Sequence, residues 1–139
     1  RLNGPAIVAS GNDVAVAWFT GARDTAKVHV AYSSDAGATF GTPVRVDGGT
    51  PAGRVGLQWL DGDAYVSWLE RGNGDTAFVK VRRVARDGTM GEPITVSQSR
   101  GTRSSGFPRV ARLPNGLIFA YTIPGTPSAV QVATLTRGQ

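Results

Sequence analysis

An all-β fold built from small stacked sheets is predicted by three features of the sequence. Nineteen glycines and eight prolines punctuate the 139 residues, separating short runs of Val, Ala, Trp and Tyr and leaving no stretch for a long amphipathic helix. The chain repeats itself at about fifty residues, the kind of period that marks stacked or radial arrays. Each repeat divides into short strand-like segments joined by hairpin turns of small or acidic residues. A hydrophobic content of 40% with 18% charged residues describes a folded chain rather than a disordered one.

The best-matched segment of the repeat fixes the register. Val14-Ala15-Val16-Ala17-Trp18-Phe19 corresponds to Ala64-Tyr65-Val66-Ser67-Trp68-Leu69 and to Leu117-Ile118-Phe119-Ala120-Tyr121-Thr122, with Trp18, Trp68 and Tyr121 spaced by 50 and 53 residues. Turns at 11–13, 61–63 and 114–116 join each copy to an earlier strand, at Pro5–Ala9, Arg54–Leu60 and Pro108–Leu113. Third strands follow at Lys27–Ser33, Ala77–Ala85 and Ala129–Thr136, and fourth strands at Thr39–Val46 and Thr89–Val96. Three units result: residues 4–47, 54–97 and 107–137, the last without a fourth strand.

A four-stranded sheet of this size cannot bury both faces alone and must stack on neighbours. Radial stacking gives a β-propeller of four-stranded antiparallel blades, about three here. A sandwich of about eleven strands would not require the strands to repeat four by four.

Charge and composition narrow the function classes. The formal net charge is +5, and of 15 basic residues only Lys27 and Lys80 are lysines. Guanidinium groups suit carboxylates, sulfates and phosphates, but no dense basic patch is interleaved with aromatics, so a nucleic-acid partner is not expected. No apolar run reaches the roughly 20 residues that span a bilayer, so no membrane segment is expected, and Arg1–Pro5 lacks the apolar core of a signal peptide. With no cysteine, one histidine and no clustered carboxylates, neither a metal nor another cofactor is expected. No phosphate-loop or dinucleotide fingerprint is present.

On the turn after the first third strand lies Ser33-Ser34-Asp35-Ala36-Gly37-Ala38-Thr39-Phe40, read as Ser-x-Asp-x-Gly-x-Thr-Phe. The Asp35 carboxylate is expected to be a buried acceptor for turn amides, Gly37 to take a positive φ, and Phe40 to pack between blades. A shortened copy, Ala85-Arg86-Asp87-Gly88-Thr89-Met90, sits at the same phase of the second repeat. This pattern resembles the Asp box, or BNR repeat, of sialidase-like propellers, especially the C-terminal half of secreted bacterial members. The resemblance covers essentially the whole chain. It implies a six-bladed ring, a secreted, periplasmic or cell-surface bacterial location, and a glycan-related role, with the remaining blades supplied by a parent protein or by a second copy of the chain; a fragment of a larger propeller is favoured over a self-complementing dimer.

The same resemblance implies three carboxylate-binding arginines, a Tyr–Glu pair and an Asp acid/base, and that set does not map onto this sequence. Candidate ligand-binding residues are Arg54 and Arg109, which open equivalent inner strands, with Arg23, Arg71 and Arg103 on loops that would form a ligand face. Glu70, ending a second strand, is the one acidic residue nominated as a base, with solvated surface charge as its alternative role. Tyr32, Tyr65 and Tyr121 fall within strands and read as packing residues, and His29 falls on the polar phase of a third strand. The expected function is therefore a propeller segment with a carbohydrate or acidic-ligand face and no complete catalytic set; the alternatives are half of an exo-sialidase or related glycoside hydrolase, and a protein-binding propeller.

Overall fold

A computed structural model describes residues 4–21, 25–74, 76–100, 109–123, 127 and 129–136. The fold is all-β. β1 (Ala6–Ser10), β2 (Asp13–Thr20), β3 (Lys27–Ser33) and β4 (Val44–Arg45) form one sheet in chain order. β5 (Pro51–Leu60), β6 (Asp63–Arg71), β7 (Thr76–Val84) and β8 (Ile94–Arg100) form a second, and β9 (Arg109–Leu113), β10 (Gly116–Ile123) and β11 (Ala129–Thr136) a third. Every pairing is antiparallel.

The register reproduces the repeat: Trp18 pairs with His29, Trp68 with Lys80 and Tyr121 with Gln131. The fourth strands begin later than expected, at Val44 and Ile94. Pro43 and Pro93 precede them, and proline has no N–H to give a ladder. Upstream of each proline a backbone bond holds the chain to the third strand, from Gly41 N to Tyr32 O (2.9 Å) and from Gly91 N to Arg83 O (3.0 Å).

Because alternate residues of a strand face opposite ways, each sheet has a front and a back. The front residues of the second sheet, Ala64, Val66 and Trp68, are buried against Ala15, Ala17, Val28 and Val30 on the back of the first. Leu117 and Phe119, at the same positions of the third sheet, are buried with Val81 of the second. Gly56 permits the close approach of the inner strands β5 and β9, since a Cβ there would stand 3.2 Å from Val110 and 2.6 Å from the Ser67 hydroxyl. Polar clamps reinforce the first interface. The Tyr32 hydroxyl donates to Val84 O and accepts from Ala64 N (3.2 Å), Arg82 Nη1 donates to Val46 O (2.9 Å), and Arg86 pairs with Asp13 at 2.8 Å.

The middle sheet is thus covered on both faces, whereas the two outer sheets each have one bare face. On β11 the register equivalents of the buried Val28/Val79 and Val30/Val81 are Val130 and Val132, which are 71% and 60% exposed. On the front of the first sheet Ile7 is 67% exposed and Trp18 is half-buried.

The Ser33–Phe40 turn is a closed hydrogen-bond ring. Asp35 Oδ1 accepts from Ser33 Oγ (2.7 Å) and Thr39 N (2.9 Å), Asp35 Oδ2 accepts from Thr39 Oγ1 (2.6 Å), and Gly37 N donates to Ser33 Oγ (2.9 Å). Gly37 has φ 90° and Ala36 φ 60°. Two expectations are corrected. Asp35 is exposed, because the turn projects past the end of the sheet, and Phe40 is 43% exposed rather than packed between blades. In the second turn Met90 bridges back to Val84, and Asp87 Oδ1 accepts from Thr89 N (2.9 Å).

These bonds give a pH dependence. Hydrogen bonds from the Thr39 side chain and amide, and from Ser33, hold the Asp35 carboxyl at about 2, down from 3.8. A folded-state pKa below the unfolded one means that the native turn binds fewer protons, so its stabilisation is complete above the unfolded value and is lost as pH falls toward 2. Asp87 is lowered too, chiefly by the Thr89 amide. Urea midpoints should therefore fall between about pH 4 and pH 2, and less so in Asp35→Asn; an acid limb of unchanged size in that variant would remove Asp35 from the account.

Candidate functional site

The connections fall at two opposite ends of the sheets. One end gathers the β1–β2 turn, the Ser33–Phe40 turn and the β5–β6 turn. At the other, the β2–β3 and β6–β7 loops meet the crossover from β4 to β5, and here a cleft of about 590 Å³ opens. Phe19 and Gly21 line it from the end of β2, Thr25, Ala26 and Lys27 from the approach to β3, Arg45 from β4, Gly49–Ala52 from the crossover, and Arg71 from the end of β6. That volume lies within the roughly 300–1,000 Å³ usual for small-ligand sites.

Two carboxylates hold the crossover in place. Asp47 is buried: its Oδ1 accepts from Val28 N (2.7 Å) and Arg45 Nε (3.2 Å), and its Oδ2 from Arg45 Nη2 (2.8 Å) and Gly49 N (3.3 Å). Burial pushes this carboxyl up, but the bonds from Arg45 and the Val28 and Gly49 amides outweigh it and leave the pKa lowered. Glu70 works from the second sheet. Its Oε2 accepts from Thr50 N (2.6 Å) and Thr50 Oγ1 (3.3 Å), and its Oε1 from Trp68 Nε1 (2.8 Å). The Arg71 amide also donates to Thr50 O (2.9 Å).

Glu70 thus ties the crossover to β6 through Thr50. Trp68 is two residues back on β6, but Thr50 comes from the crossover twenty residues away, and nothing in the local pattern signals that bond.

Arg71 lines the cleft, whereas Arg54 and Arg109 are not among its lining residues. The two strands that carry them differ locally. Arg54 sits half-buried in a bulge of β5, where the register shifts between Gly53 and Gly56, and takes a left-handed φ of 58°. Arg109 is in regular β9, exposed, and pairs with Ala120, whose other partner is Val132, so register places it on the outer face of the third sheet. The equivalence read from the alignment is thus broken by the bulge. Arg23 and Arg103 lie outside the described residues.

His29 is not on an open polar face. Its ring stacks on Trp18 at 5.7 Å, Nδ1 is buried without a hydrogen-bond partner, and burial, with Lys27 next, lowers its pKa. Tyr32 packs on Trp59 at 5.8 Å, and burial raises its pKa to about 12. Tyr65 packs against the core between the second and third sheets, and nothing is described of the Tyr121 side chain.

No protein-family model matches the chain, and no curated protein matches it. Solved structures do. An α-L-arabinanase from Penicillium chrysogenum, complexed with arabinobiose, superposes with a TM-score of 0.69 at 12% identity, over 99% of this chain and 49% of its own. The GH43B protein of the Bacteroides ovatus xyloglucan PUL gives 0.63 at 13% identity, over 96% and 26%. The Bombyx mori GH32 β-fructofuranosidase gives 0.58 at 13%, over 99% and 34%.

The fold is that of β-propeller glycoside hydrolases. The chain spans between about a quarter and a half of the length of these structures. They are of the five-bladed type, so the six-bladed count expected from the sequence draws no support from them.

Proposed function

We propose that this chain is a propeller segment with a carbohydrate-binding face at the cleft of the β4–β5 crossover and without a complete catalytic set of its own. The observation that carries it is the cleft itself, assembled from loops of two sheets and braced by Asp47 and Glu70. Bracing of this kind lowers the ordering needed on binding. The glycoside hydrolase fold supports a carbohydrate rather than some other small ligand.

The absence of acids from the inner strands supports binding over catalysis. β1 reads AIVAS, β5 PAGRVGLQWL and β9 RVARL, with no carboxylate on any of them. Glycosidases that work through paired carboxylates need two flanking the scissile bond, and Glu70, which braces the crossover, has both oxygens engaged. The ligand is an anionic glycan, in keeping with the arginine-rich composition, and the setting is extracellular or at the cell surface. The sialidase-like relationship, with any further catalytic residues outside this chain, is the form the enzymatic reading takes.

Calorimetric titration of the chain with arabino-oligosaccharides, uronate oligosaccharides and sialosides, beside fluorogenic arabinoside and sialoside hydrolysis, tests the proposal. Binding of at least one saccharide class without turnover is expected. Turnover by the isolated chain would establish the enzymatic reading, and failure of every saccharide to bind would end the carbohydrate one.

A further inference from the structure

We propose that the cleft takes its glycan by an anionic group, a carboxylate or a sulfate, seated between Lys27, Arg45 and Arg71; this rests on the glycan-binding reading and assigns its charge contact. The three cations reach the cleft from three separate elements, the start of β3, β4 and the end of β6. Among the described residues no acidic side chain lines it. The crossover carboxylates Asp47 and Glu70 are turned into backbone and side-chain bonds.

Arg45 is the fixed member of the set. Asp47 engages its Nε and Nη2 edge at 3.2 and 2.8 Å, which sets the guanidinium plane and leaves the Nη1 edge for a ligand. A guanidinium already held by a buried carboxylate loses little freedom on binding. Lys27 and Arg71 line the cleft and make no ion pair among the described residues. Phe19 and Ala52, both half-buried, give the remaining wall an apolar surface for the face of a sugar ring. Arg54 and Arg109 have no part in this seat.

The test is titration of the 139-residue chain with an oligogalacturonate, a chondroitin-sulfate oligosaccharide and a neutral arabino-oligosaccharide, at low and high salt. One anionic probe should bind at least about tenfold tighter than the neutral one, with the gap closing at high salt as exposed charges are screened. Lys27→Ala and Arg71→Ala should each weaken that probe about tenfold, while Lys27→Arg retains affinity. Circular dichroism checks that the variants fold. The preferred probe separates carboxylate from sulfate. Equal affinity for neutral and anionic probes, or alanine variants that bind the anionic probe as the parent does, would overturn the assignment and leave the glycan-binding reading standing. Inorganic sulfate protecting the chain when no saccharide binds would keep the cation seat and end the glycan reading. No binding by any probe would end both.

Discussion

Trp68→Ala should cost about 3–5 kcal/mol of folding stability, the range for emptying a buried tryptophan site, and in a chain this small that is a large share of the total. Trp68 is 2% exposed, fills the space between the first two sheets, and donates its indole N–H to Glu70. The same substitution at Trp18 is the internal control. Trp18 holds the identical position in the repeat, but its face has no following layer and it is half-buried. Its loss should therefore cost much less. Urea denaturation of the two variants measures the difference, and equal losses would mean that stacking between sheets contributes little beyond the packing of each sheet alone.

The second large effect is on assembly. At micromolar concentration the 139-residue chain should scatter light as associated species rather than as a dispersed monomer, because Ile7, Val130 and Val132 expose apolar surface at positions that the inner interfaces bury. Val130→Asp combined with Val132→Asp should shift the distribution toward monomer with the far-UV spectrum intact. The cover those faces require would come from the remaining blades of a parent protein or from a second copy of the chain. A stable, cooperative, strictly monomeric parent chain would show that single exposed sheet faces are tolerated here.

Strand positions were legible in the sequence because hairpins are local: Gly-Asn-Asp and Asp-Gly-Asp turns beside Val/Ala/Trp runs fix both existence and pairing. The fifty-residue spacing then supplied the sheet order and the stacking. Three things were not legible. Phe40 reads as a packing residue by type, yet its surroundings depend on how far the Ser33–Phe40 turn projects beyond the sheet. Arg54 aligns with Arg109 by letter, but the two-glycine context of Gly53 and Gly56 bends β5 into a bulge, so the two backbones differ. Glu70 and Asp47 are ordinary charges in sequence, and their partners Thr50 and Val28, 20 and 19 residues away, become visible only once the crossover packs on the strands. The cleft shares that origin. Lys27, Arg45 and Arg71 are widely separated in the chain, and only the crossover brings them to one opening.

The order of strands within each sheet follows the order of the chain, with every partner a hairpin away. Such sheets close their own loops at small entropic expense and form early and independently. Their persistence is another matter, since a layer in a stacked array draws its stability from its nearest neighbours. With a layer on each side, the middle sheet is the last to open, and the outer sheets fray first from β1 and β11, the strands bearing bare valine and isoleucine. The cleft straddles that gradient: Arg71 stands on the durable layer, while Lys27 and Arg45 belong to a sheet whose front has no cover. Whatever layer comes to rest on Ile7 and Trp18 would therefore steady one wall of the ligand site without touching it.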